Sequence, residues 1–253
     1  MTIPTNFKEL QQQLGISDLA ATFADIVHMS ALGANTVDVF SMLTQRIVEI
    51  LPVKACGILL IDVNHTLQVV GSSEHSAHLL DLYQLQNNSG PCMEAYQTGN
   101  VVSDTLLSET GSWPAFAQLA RSLNFSAVYA IPLSGRSQVL GALNLFCESE
   151  LTPRNLTLAQ VLADAATVAL LQADPKNDEI VVVRNTASTI SSRNAIEQAK
   201  GVISQRFSVD MNEAYRRIQR VAAQHQMGIV ELAAHISNRT LSDSLSIALD
   251  NTN

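Results

Sequence analysis

Two rhythms run along the chain. Up to about residue 173, short apolar runs alternate with stretches that carry an apolar residue every three or four positions; beyond residue 184 only the second rhythm persists. Helical spacing covers 18–28 and 37–51, the latter through Val39, Phe40, Leu43, Ile47 and Ile50, and Pro52 stops it. The runs 56–63 and 66–72 are rich in β-formers and flank Asn64-His65, which predicts a hairpin. Helices are expected at 74–86 and 115–123, with a loop at 87–91 and a short helix at 92–98 closed by Gly99. Val101-Val102 forms a brief strand, 127–133 and 140–146 form two more around a polar turn, and 157–172 closes the region as a long helix. Five or so strands in hairpins, with helices before, between and after, define an α+β sheet domain over 18–173, preceded by a segment 1–17.

The polar stretch from Asp174, with the helix breaker Pro175, reads as a linker over 174–183. The tail that follows is all-helical. One stripe carries Ile190, Ile196, Ala199, Ile203 and Phe207; Asp210 and Glu213 form a capping box that opens a second helix with Ala214, Ile218 and Ala222 inward. Gly228 precedes a third helix, and 241–253 is a weakly amphipathic tail. Three amphipathic helices over 184–240 suffice for a small bundle.

Composition narrows the function. Of the 253 residues 47% are hydrophobic and 15% charged, enough to bury a core, while aromatics at 5% argue against a stacking platform for single-stranded bases. The net charge of -8 excludes a whole-chain polyanion binder. The charge is unevenly placed, however: residues 1–174 hold 6 basic and 15 acidic side chains, whereas 184–239 hold 8 basic against 4 acidic. Different partners for the two halves are expected. Cys56, Cys92 and Cys147 form no CxxC pair or disulfide framework. With no secretory pattern at the start and no membrane-length apolar run, a cytoplasmic protein is expected.

Enzyme chemistry is not expected: no nucleophile elbow, P-loop, dinucleotide-binding glycine pattern or HExxH occurs. His75-x-x-His78 lacks a third ligand and reads as a solvated helix face rather than a metal site, so no metal is expected. Cys92 reads as a packing cysteine, and Asp104, Glu109 and Trp113 as loop capping with an anchoring aromatic.

The chemistry lies in the tail. Arg193, Lys200, Arg206, Arg216, Arg217 and Arg220 are offset by few acids, and the spacing of Arg216, Arg217 and Arg220 lets all three crowd one exposed side, which suits phosphate binding. Gly201 in mid-helix is unfavourable by about 1 kcal/mol relative to alanine, which calls for close packing or close approach of a partner.

The run Ile196-Glu197-Gln198-Ala199-Lys200-Gly201-Val202-Ile203, then Glu213-Ala214-Tyr215, then Glu231-Leu232-Ala233 and Ile236, resembles the ANTAR domain, an RNA-binding output module of bacterial antiterminators, over about 184–240. The resemblance implies binding to RNA with paired stem-loops of six-base loops. It implies RNA contacts at Lys200, Arg193, Arg216, Arg217 and Arg220, and a structural signature of Ile196, Ala199, Gly201, Ala214, Tyr215 and Ile218. The sequence departs from that pattern at Ser204, where methionine is common, and at Gln219, where arginine is.

The first half resembles a GAF domain through Gly90-Pro91-Cys92, Thr98-Gly99, Trp113-Pro114, Phe116, Ala130-x-Pro132-Leu133 and Leu140-Gly141-Ala142-Leu143-Asn144-Leu145, over roughly 18–173. That implies a sensor with a six-stranded or similar antiparallel sheet and a small-molecule pocket of unspecified ligand; Tyr83, Cys92, Trp113 and Phe116 are the pocket candidates by position. Together the halves are expected to form a signal-responsive antitermination regulator. The apolar faces of 157–172 and 187–207 suit a homodimer seam. A helical DNA-binding regulator, and a ligand-binding protein whose tail binds no RNA, are the alternatives.

Overall fold

A computed structural model describes residues 7–31, 34, 36–62, 64–108, 110–135, 138–171 and 178–250, with the side chains of 7–16, 30–31, 169–171 and 178–191 outside the description. The elements in chain order are α1 (Phe7–Ala31), α2 (Thr36–Ile50), β1 (Ala55–Ile61), β2 (Leu67–Ser72), α3 (His75–Asn87), α4 (Pro91–Thr98), β3 (Val102–Asp104), α5 (Pro114–Ser122), β4 (Ala127–Ser134), β5 (Val139–Cys147) and α6 (Pro153–Leu171). Then follow α7 (Asp178–Phe207), α8 (Met211–Gln224), α9 (Ile229–Ser237) and α10 (Asp243–Asp250).

The strands form one antiparallel sheet in the order β2-β1-β5-β4-β3. Among the described residues it has five strands, in keeping with the five or so read from the apolar runs. Both faces are covered, which explains why β1 reads as an unbroken apolar run instead of an alternating one. On one face Ile58, Leu60, Tyr129, Ile131, Leu143 and Leu145 pack against Phe40, Leu43 and Ile47 of α2 and Leu162 and Ala166 of α6. On the other, Ala55, Val128 and Phe146 pack under α3 and α5, and Leu59, Ile61 and Ala142 under Cys92 of α4. At Gly141 a Cβ would strike the Leu59 carbonyl of the neighbouring strand, so only glycine lets β5 approach β1 there.

The helical tail has its own core. Ile196, Ala199 and Ile203 of α7 meet Ala214, Tyr215, Ile218 and Val221 of α8, Ile229, Leu232 and Ile236 of α9, and Leu245 and Leu249 of α10. Among the described residues, Val37 of α2 joins this cluster from the sheet domain. Ser204 donates to the Val209 carbonyl at 2.7 Å and so closes the α7–α8 turn, a local reason for its departure from methionine.

The linker expectation is corrected in part. Residues 174–177 lie outside the described residues, but 178–183 are already helix, since α7 runs from Asp178. Leu162 and Ala166 of α6 and Ile196, Ala199 and Ile203 of α7 are taken up inside their own domains, while Val168 and Val202 are exposed.

Candidate nucleic-acid interface

Helix α8 begins as the capping box predicts: the Asp210 carboxylate accepts the Glu213 N–H at 2.7 Å. The Glu213 side chain gathers the arginines instead of returning to the cap. It accepts from Nε of Arg216 at 3.1 Å, Nε of Arg217 at 3.2 Å and Nη2 of Arg220 at 2.8 Å. Slight burial would raise the Glu213 pKa, but the hydrogen bonds from Arg216 and Arg217 and the charge of Arg220 outweigh it and hold the carboxyl below its usual range. The three arginines do not share one exposed side, as the spacing suggested. Arg216 and Arg220 are exposed, whereas Arg217 is buried, its guanidinium 5.0 Å over the Phe207 ring.

A second carboxylate organises the other cations. Glu197 of α7 accepts from Arg193 Nη2 at 2.7 Å and from Lys200 Nζ at 2.8 Å, one turn before and one turn after it. Both cations lean on the Tyr215 ring, Lys200 at 5.4 Å and Arg193 at 6.0 Å from its centroid. The position expected to be the best RNA contact is therefore a core residue here: Lys200 is 1% exposed and Arg193 4%. Burial pulls the Lys200 pKa down against the pull of Glu197. Burial would raise the Glu197 pKa, but Arg193 and Lys200 more than reverse it.

What covers these groups is the sheet domain. Helix α7 packs along β2, the outer strand of the sheet, and α8 meets α3. His78 of α3 places Nε2 3.9 Å from Glu197, and the Tyr215 hydroxyl reaches Ser41 of α2 at 3.5 Å. His75-x-x-His78 is thus not the solvated face expected of it: His78 is buried, and burial together with nearby Arg193 lowers its pKa to about 4. Among the described residues no group of three His, Cys, Asp or Glu side chains that could hold a metal ion is found.

The two domains also cap each other's helices. Helix α3 has no side-chain cap of its own, and Asn212 of α8 accepts the His75 N–H at 2.6 Å. Helix α9 starts at Gly228 without a side-chain cap, and Asp38 of α2 accepts the Val230 N–H at 3.2 Å. A Cβ on Gly228 would come within 2.7 Å of the Asp38 carboxylate, so the glycine admits this cap. Orphan N–H groups at a helix start need an acceptor, and each domain supplies the other's.

On the sheet domain, Cys92 is fully buried beneath α4 and its thiol pKa is raised by burial, in keeping with a packing role. Of the pocket candidates, Tyr83 and Phe116 pack in the α3–α5 core, their ring centroids 6.5 Å apart, and Trp113 lines an open cleft, about 630 Å³, beside β3. Asp104 caps the Leu106 and Leu107 N–H groups at 3.2 and 2.7 Å, as loop capping requires; Glu109 lies outside the described residues. Sequence reasoning missed a fully buried polar pair: Asn144 of β5 donates to Asp81 of α3 at 2.7 Å, and burial raises the Asp81 pKa to about 8. Asn144, the one polar side chain in the apolar strand β5, was the available signal; Asp81 sits among many polar residues of α3 and did not stand out.

A five-stranded antiparallel sheet domain is joined to a helical bundle whose cations cluster around two carboxylates. The family model for the GAF domain matches residues 34–171 and that for the ANTAR domain residues 184–236. The chain belongs to the GAF-domain family, with an ANTAR domain, the RNA-binding antitermination class of output, following its sensor. Similar solved structures include the GAF domain from Acinetobacter phosphoenolpyruvate-protein phosphotransferase, 13% identical over 65% of this chain and 96% of that one (TM-score 0.49). Another is the GAF domain of the Coxiella burnetii phosphoenolpyruvate-protein phosphotransferase, 15% identical over 62% of this chain and 96% of that one (TM-score 0.47). No curated protein matches. Among the described residues, no helix is long and apolar enough to cross a membrane.

Proposed function

We propose that this protein is a cytoplasmic, non-enzymatic regulator that binds stem-loop RNA through its ANTAR domain, and that the GAF domain withholds that activity until a signal separates the two. The carrying observation is the placement of Arg193 and Lys200. The resemblance assigns them to RNA, yet they are buried at the seam with α3 and share Glu197 as an internal stand-in for phosphate. Arg216 and Arg220 remain exposed, so a partial basic face is available for first encounter. A homodimer belongs to the same reading: the exposed positions Gly201 and Val202 on α7 offer a surface where a second chain can approach. Light scattering that finds a monomer at all micromolar concentrations would remove the dimer.

The test is binding to a two-hairpin RNA with six-base loops, beside a duplex DNA of equal charge. Selective RNA binding that is lost in Lys200→Ala supports the reading. Equal affinity for duplex DNA, or indifference to the substitution, contradicts it.

A further inference from the structure

Where the end of α1 and the start of α2 meet the α8–α9 turn, the structure leaves an open cleft of about 570 Å³. That volume suits a small molecule, and such sites favour the boundary between domains. One wall belongs to the sheet domain, with Met29 of α1 and Asp38 of α2; the other belongs to the ANTAR domain, with Met227, Val230, Glu231 and Ala234. Met29 packs against the core of the sheet domain, and Met227 and Val230 against that of the tail, yet all three stay only half-buried. Apolar surface left facing water in this way is stabilised when a guest covers it. Methionine suits such a wall, because its unbranched thioether adapts its shape to what it meets.

Among the described residues two acids interrupt this apolar lining, and no base does. The segment 30–35 between Met29 and α2 supplies no basic residue either. Asp38 directs its carboxylate at the start of α9, where it accepts the Val230 N–H, and Glu231 is the next residue of that helix. Each acid sits in the first turn of its helix, which the helix dipole favours, but the two also line one cleft. Among the described residues neither forms a salt bridge. Burial, and after it the like charge of Glu231, push the Asp38 pKa up against the pull of the backbone N–H groups. Two carboxylates beside an apolar wall complement a guest of opposite charge with an apolar body.

We propose that this interdomain cleft binds a small amphipathic organic cation. Its ammonium or amidinium group lies beside Asp38 and Glu231, and its apolar body lies on Met29, Met227, Val230 and Ala234. Because the two walls belong to different domains, a bound cation joins α2 to α9 and favours the closed arrangement. Its effect on output rests on the RNA-binding reading above; the binding itself does not.

Phenethylammonium, titrated into the full chain at constant ionic strength while the methionine methyl signals are followed by NMR, tests the site. The chain has six methionines, so each methyl can be assigned, and Met93, which packs with Cys92 beneath α4, serves as an internal control. The expected result is a saturable shift of the Met29 and Met227 methyls, one on each wall, with Met93 unmoved. Phenethyl alcohol has the same body without the charge, and half-saturates at a concentration about tenfold higher or more. Asp38→Asn with Glu231→Gln keeps an oxygen for the Val230 N–H while removing both charges, and raises half-saturation by the cation by a similar factor. Ala234→Leu fills the cleft and abolishes the shifts. No saturable shift, an alcohol that binds as tightly as the cation, or shifts that survive both the charge variant and Ala234→Leu overturns the proposal. The readout needs no RNA, so a chain that responds to the cation yet binds no hairpin sinks the RNA reading and leaves the site standing. A chain that binds hairpin RNA without any methyl shift does the reverse.

Discussion

The side-chain oxygen of Asn212, in the first turn of α8, accepts the His75 N–H at 2.6 Å and thereby caps a helix of the other domain. Removing an N-cap acceptor is worth about 1 kcal/mol. Asn212→Ala therefore lowers the stability of the closed arrangement by about that amount. It also raises hydrogen exchange at the first-turn amides of α3 while leaving the β1–β5 amides unchanged. Equal loss of protection in both places would mean that Asn212 supports the fold at large and not the seam.

Gly228 permits the reciprocal cap. Its φ of -65° suits any residue, so an isolated ANTAR domain tolerates Gly228→Ala, whereas in the full chain the new Cβ meets the Asp38 carboxylate at 2.7 Å. The substitution lowers the full-chain midpoint and spares that of residues 184–253, which lack Asp38. Calorimetry on both chains separates these outcomes.

At Gly201 the situation is inverted: an added Cβ meets nothing within 4 Å. Gly201→Ala is therefore expected to stabilise the free protein by up to about 1 kcal/mol through helix propensity alone. If an RNA backbone or a second chain approaches this face, the same substitution weakens that association. A stabilised variant with unaltered association by light scattering and by RNA titration would leave the glycine unexplained.

Asp81 makes stability depend on pH with a definite sign. Its pKa is about 8 when folded against 3.8 when exposed, so across that interval the native state holds a proton that the unfolded chain has lost. Stability contributed by the neutral acid is full below pH 4 and declines as pH rises toward 8, by at most about 1.4 kcal/mol per unit. His78 acts in the opposite direction, but only between its folded value of about 4 and its exposed value of 6.5. Between pH 6.5 and 8 His78 no longer offsets the Asp81 decline, and Asp81→Asn makes it shallower in urea titrations. A decline of unchanged slope in the variant would place its origin elsewhere.

Much of the fold was legible. Short apolar runs and helical spacing marked the strands and helices to within a few residues, because both domains bury continuous apolar faces of their own. Pro175 and its polar neighbours hid the early start of α7, since local composition signals a break while α7 already runs from Asp178. The candidate site was only half legible. Lys200, Arg193 and the α8 arginines were recognised by type and spacing, but their burial depends on β2 and α3, more than a hundred residues away in sequence. The same distance misled the reading of His75-x-x-His78, whose lack of a third metal ligand was visible while its cover of α7 was not.

The central claim, that the sensor masks the RNA-binding cations, is tested most directly by the RNA affinity of a chain whose two interdomain caps are removed. Titration of the two-hairpin RNA into the wild type and into the Asp38→Ala, Asn212→Ala double variant is that measurement. Two lost caps shift the closed equilibrium by about 2 kcal/mol, so the variant should bind tenfold or more tightly, with a steeper salt dependence as Lys200 and Arg193 reach phosphate. An affinity equal to or below that of the wild type, in a variant that still folds, would contradict the claim.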